Sequence, residues 1–114
     1  MSDTYQHLDV AIIEELRVVM GDNFSLLVDT FVSDSALRIT GIYEAVTAAT
    51  PESIRRAAHG FKGSASNMGA VRLAALCNEL EQMGLAGGSD GAAALADDIA
   101  AAYAVVEKEL TALR

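Results

Sequence analysis

At 114 residues the chain suits one domain with one modest core. Hydrophobic residues make up 52% and proline occurs once, which excludes a disordered or collagen-like chain. The formal net charge of −8 argues against nucleic-acid binding, because phosphates repel an acidic surface, and no apolar run approaches the roughly 18 residues of a membrane span.

The N-terminal stretch, "MSDTYQHLDV", lacks the basic start and apolar run of a secretory leader. A free-standing, cytoplasmic chain is expected, and the single cysteine, Cys77, fits a reducing compartment. His7 has no partner at a useful spacing, so no role is expected for it. A period near 3.6 residues then runs through the sequence. Asp9 can cap a short helix bearing Ile12, Ile13, Leu16 and Val19, which Gly21 ends. Asp22 or Asn23 can start a long second helix with Phe24, Leu27, Val28, Phe31, Val32, Ile39, Ile42 and Val46 as its stripe.

Thr50-Pro51 is a strong start for the third helix, since proline suits the first helical position. It is expected to run over about 51–68, with Ile54, Ala57, Ala58, Phe61, Ala65 and Met68 inward and Gly69 breaking it. A fourth helix carries Leu73, Leu76, Cys77, Leu80 and Met83 to Gly84, with Cys77 read as a small core residue. "AGGSDG" is the clearest loop, and a last helix, roughly 92–113, packs Leu95, Ile99, Tyr103, Val106, Leu110 and Leu113. No segment reads as strand. The expected fold is all-α: an antiparallel up-down four-helix bundle with a short extra N-terminal helix, forming one domain over 1–114.

Charge is unevenly spread. No acidic residue falls between Glu52 and Glu79, while Arg55, Arg56, Lys62 and Arg72, half of the eight Lys and Arg, all do. A positive spot on an acidic body suits an acidic partner or a phosphoryl group. On a wheel of about 100° per residue with Ile54 at zero, the core residues of the third helix lie within roughly 60°. Arg55, His59, Lys62, Gly63 and Ser66 fall on an arc facing away from that core. His59 is therefore expected to be exposed, one turn before Gly63, whose missing side chain would admit another molecule to the imidazole. Gly60, farther round, is expected to thin the same surface, although each glycine costs about 1 kcal/mol of helix propensity.

The stretch "AHGFKGSASNMGA", followed by "LAALCNELEQMG", resembles the histidine-containing phosphotransfer (HPt) domain family. The matching positions are His59, Lys62, Gly63, Ser64, Ala65, Gly69, Ala70, Leu80 and Glu81; Phe61 replaces the usual leucine, and Gly60 is less usual at its place. The resemblance implies a five-helix fold in which His59 accepts a phosphoryl group from a receiver-domain phospho-aspartate and passes it to an aspartate on another receiver. It implies phosphorylation at Nε2, with Glu81 bonding Nδ1 from the next helix. Lys62 would offset charge on the transferring oxygens, and Ser66 could offer them a hydroxyl. Arg55 and Arg56 would steer the acidic pocket of the receiver toward the site, and Gly60 and Gly63 would leave room for it.

The implied partners are the receiver domains of a hybrid sensor kinase and of a response regulator, met by a monomer. No cofactor of its own is expected, and Mg²⁺ is expected on the partner receiver. A kinase is disfavoured by the lack of a glycine-rich phosphate loop, and a metal-binding bundle by the lack of inward Glu-x-x-His pairs. The alternative is a docking or sequestering bundle without phosphotransfer, which would not need the histidine in its lysine-glycine context.

Overall fold

A computed structural model describes residues 6–114. Five α-helices follow one another: α1 (Val10–Met20), α2 (Phe24–Ala48), α3 (Pro51–Asn67), α4 (Val71–Leu85) and α5 (Ala92–Leu113). A single 3₁₀ turn, Gly21–Asn23, joins the first two. Among the described residues the only β-type pairing is one isolated bridge, Leu8 with Ala70. Among the described residues no helix is long and apolar enough to cross a membrane.

Local chemistry explains most boundaries. The Asp9 carboxylate accepts hydrogen bonds from the Ala11 and Ile12 amides, satisfying two donors that a helix start leaves open. Gly21, at φ 52°, ends α1 in a conformation that other residues adopt at a cost. Thr50 is extended, as the residue before a proline should be, and Pro51 opens α3. Asn23 stands at the start of α2 but its side chain makes no capping bond there.

Helices α2 to α5 form a four-helix ring in which each packs against two neighbours: α2 with α3, α3 with α4, α4 with α5, and α5 back on α2. Pairs at matching heights show the antiparallel order. Tyr43 meets Asp97 and Asp29 meets Arg114 along α2–α5, while Lys62 meets Asn78 along α3–α4. The core runs up the middle through Val28, Phe31, Ile42, Ile54, Phe61, Leu73, Leu80, Ile99, Val106 and Leu110. Each such side chain contributes about 1.5–3 kcal/mol on burial. Tyr103 links the layers, its ring centroid 6.1 Å from Phe31 and 6.3 Å from Phe61.

Three expectations are corrected. Val19 was expected on the buried side of α1 and is 74% exposed. That helix meets one end of the bundle, with Asp9 and Ile12 at Gly69 and Arg17 over Phe24, so a narrow stripe suffices: Ile13 is buried, Ile12 and Leu16 half-buried. Gly84, expected as the last residue of α4, is its last but one and is buried. A Cβ there would stand 2.6 Å from the Pro51 carbonyl oxygen and 2.8 Å from the Arg55 amide nitrogen. The glycine is a contact between two backbones, not a stop. Third, Ser35, a polar residue outside the expected stripe, is fully buried, while Ala57 and Met83 pack against the core half-buried.

Candidate functional site

The close approach at Gly84 sets the register of α3 against α4. Glu81 lies three residues earlier, on the same face of α4, and is thereby carried to the edge of α3 beside His59. The His59 side chain is 63% exposed and that of Glu81 only 9%. Their atoms meet at 2.8 Å, His59 Nδ1 to Glu81 Oε2. A carboxylate only accepts, so Nδ1 must carry the hydrogen. In the neutral ring, Nε2 is then left with its lone pair.

Lys62 completes the constellation from one turn farther along α3. Its Nζ is 2.6 Å from Glu81 Oε1, an ion pair rather than an aligned hydrogen bond, and donates to Asn78 Oδ1 at 3.4 Å. The Lys62 ammonium holds the Glu81 carboxyl below its ordinary value of 4.5; burial pushes it the other way, and the His59 ring adds to the lowering. Glu81 is therefore a buried, ionised acceptor near neutral pH, held between a lysine and an imidazole. Cys77, one turn before Glu81, is buried, and burial pushes its thiol up to about 12. Among the described residues, no group of three or more His, Cys, Asp or Glu is arranged to hold a metal ion.

The remaining site candidates are placed unequally. Gly63 lies open, with nothing within 4 Å of where a Cβ would stand. Gly60 does not thin the surface as expected: the Arg38 side chain from α2 fills the space over it. Arg55 donates to both oxygens of Glu52, at 2.9 and 2.7 Å, and Arg56 donates to the same carboxylate at 3.2 Å. Those paired bonds hold the Glu52 carboxyl at about 2. Of the positive spot read from the sequence, Arg55 and Arg56 thus share a single carboxylate within α3, and one positive charge of that pair is left over. Ser66 is exposed.

Two residues escaped the sequence reading. Asn78 was legible in principle, since it precedes Glu81 by three on the same helix face. Arg38 was not, because its link to the site runs through the packing of α2 on α3.

With this geometry in view, the comparisons are specific. The profile of the Hpt domain family matches residues 26–114, most of the chain. This chain belongs to the Hpt domain family. A crystal structure of histidine-containing phosphotransfer protein B from Pseudomonas aeruginosa PAO1 superimposes with a TM-score of 0.90. The two share 38% sequence identity over 95% of this chain and 94% of that one. A search of curated protein sequences returns no match. Histidine phosphotransfer within two-component signalling is the work of the Hpt family, whose members meet receiver domains.

Proposed function

We propose that this Hpt domain is a phosphoryl carrier in a multi-step phosphorelay, with His59 as the acceptor. The donor is the phospho-aspartate of a receiver domain in a hybrid sensor kinase, and the recipient is an aspartate in the receiver of a response regulator. One observation carries the reading: an exposed imidazole whose Nδ1 is fixed by a buried carboxylate, leaving Nε2 free toward solvent.

The step balances simply. The Nε2 lone pair attacks phosphorus, the bond from phosphorus to the aspartyl oxygen breaks, and its electron pair leaves on the carboxylate. The ring then bears a positive charge with its proton still on Nδ1, and Glu81 at 2.8 Å offsets that charge. Reversal toward a second aspartate uses the same proton, which makes the ring a better leaving group. Lys62, held on Glu81 and Asn78, lies one turn from the histidine and can swing toward the phosphoryl oxygens. Nucleotide is needed nowhere in this sequence of events, so the chain is a carrier and not a kinase. Mg²⁺ belongs to the receiver, where it would neutralise the phospho-aspartate. Gly63 leaves the approach to His59 open, and the proposed working form is a cytoplasmic monomer of one domain.

The experiment is His59→Gln. The variant should melt within about 2 °C of wild type, because the side chain is largely exposed. It should take no label from a phosphorylated receiver with Mg²⁺, whereas wild type is labelled and loses the label in acid. Labelling of the variant would remove His59 from the mechanism.

A further inference from the structure

Arg55, Arg56 and Lys62 are tied to carboxylates on the arc or behind it. A fourth cation reaches the same place from a different helix. Arg38 Nε donates to Asp34, one turn back on α2, at 2.6 Å, and its guanidinium lies across Gly60, the neighbour of His59. A Cβ built on Gly60 would stand 2.6 Å from Arg38 Nη1, so any other residue there would push the guanidinium off α3. Next along the outward face, Gly63 is open. Gly60 and Gly63 together leave a strip of α3 without side chains, covered by Arg38 at Gly60 and open at Gly63. His59 and Lys62, tied to α4, line one edge of the strip, and Arg38 lines the other.

An exposed intrahelical pair adds little to stability, and here the side chains are 37% and 42% exposed. What Asp34 does supply is direction. It takes the Nε edge of the guanidinium, and among the described residues no other hydrogen bond to Arg38 forms, so the outer N–H groups are left without a protein acceptor. A planar fork with free donors fits a carboxylate better than a lysine would. A receiver that carries an aspartyl phosphate and Mg²⁺ needs several carboxylates around its pocket, and that pocket must be brought over Nε2.

We propose that Arg38 is a docking residue for the receiver domain, seated by Gly60 and Asp34 to grip a carboxylate on the rim of the phosphorylation pocket; this rests on the phosphotransfer reading above. Contact at the α2 edge gives the partner a second fixed point across the strip from His59. Two fixed points orient the phosphorus in line with Nε2, where one would leave the receiver free to pivot. Arg38 acts on docking and does not touch the reacting atoms.

The test compares two phosphoryl donors on the full chain. One is phosphoramidate, which reaches His59 without docking. The other is whichever purified receiver domain, phosphorylated with acetyl phosphate and freed of it, labels wild type fastest. Arg38→Ala should raise the half-saturating receiver concentration about tenfold, with the maximal rate within about twofold of wild type. Arg38→Lys should recover part of that loss, because it keeps charge but not the fork. Arg38→Glu should bind more weakly still, and added salt should help it where salt weakens wild type. Labelling by phosphoramidate should not distinguish these proteins. An unchanged half-saturating concentration in Arg38→Ala would overturn the proposal, and so would a matching fall with phosphoramidate, which would place Arg38 at the chemistry. Wild type labelled by neither donor, or by phosphoramidate and no receiver, would overturn the relay reading and this inference with it.

Discussion

Two helix pairs of this bundle hold carboxylates against donors at nearly the same distance, yet to different effect. Along α2–α5, the Tyr43 hydroxyl donates to Asp97 at 2.6 Å and Arg114 donates to Asp29 at 2.6 Å, all four in solvent. Along α3–α4, Glu81 meets His59 at 2.8 Å and Lys62 at 2.6 Å from a nearly buried position. Water competes for the first pair of contacts and screens them. The second is shielded, so its charge and direction are felt by the imidazole. Distance alone does not make a site; a buried acceptor beside an exposed base does.

The contrast can be broken most directly at Glu81. Glu81→Ala should slow transfer from a receiver on the order of 10- to 100-fold, because the ring loses its fixed tautomer and its charge partner. Glu81→Gln should be milder, since an amide oxygen still accepts from Nδ1. The pH dependence follows from the lowered pKa of the Glu81 carboxyl. A depressed folded-state value means that the ionised contact stabilises the fold fully above the ordinary carboxylate value and is lost as pH falls through the folded one. The melting advantage of wild type over Glu81→Gln should therefore be greatest above about pH 5 and shrink in more acid buffer. A constant difference from pH 7 to 3 would show that ionisation is not what matters.

Gly84 sharpens the comparison by testing what positions Glu81. Gly84→Ala places a methyl group against the Pro51 carbonyl and the Arg55 backbone, neither of which can turn aside. It should cost about 1–3 kcal/mol, partly offset by gained helix propensity, lower the melting temperature and slow transfer together. Gly63→Ala should do the opposite to stability, raising it by up to about 1 kcal/mol, because its Cβ meets nothing. Gly63→Gln, whose side chain leans back toward the preceding turn and His59, should slow labelling by a receiver far more than labelling by phosphoramidate. Equal slowing with both donors would remove steric access as the reason for the glycine. The smallest effect belongs to α2–α5. Tyr43→Phe should cost below about 1 kcal/mol in thermal melting and leave transfer from a receiver unchanged.

Much of this architecture is readable from one sequence, for reasons that differ by element. Thr50-Pro51, Asp9 and the glycine-rich run at 86–91 act through local backbone chemistry, so they mark boundaries without knowledge of the fold. The position of Glu81 at the edge of an apolar stripe is likewise a matter of helical phase. Gly84 looks like a helix end and Gly60 like open surface, because a glycine's reason is what approaches it, and here those neighbours are α3 backbone and an α2 side chain. Val19 fails for a related cause: a helix packed on one side needs fewer apolar positions than its sequence offers. The pairing of Arg55 and Arg56 with Glu52 was within reach of i,i+3 and i,i+4 spacing, but a charge tally over a segment starting just after Glu52 hides it.

Cys77 gives the α3–α4 pair an internal clock. It is the sole thiol of the chain, fully buried one turn from Glu81, and its high pKa keeps it un-ionised in ordinary buffers. An alkylating reagent needs both access and a thiolate, and it finds neither while the two helices stay together. The rate at which this sulfur is modified thus counts how often the histidine's supporting helix breathes away from its neighbour.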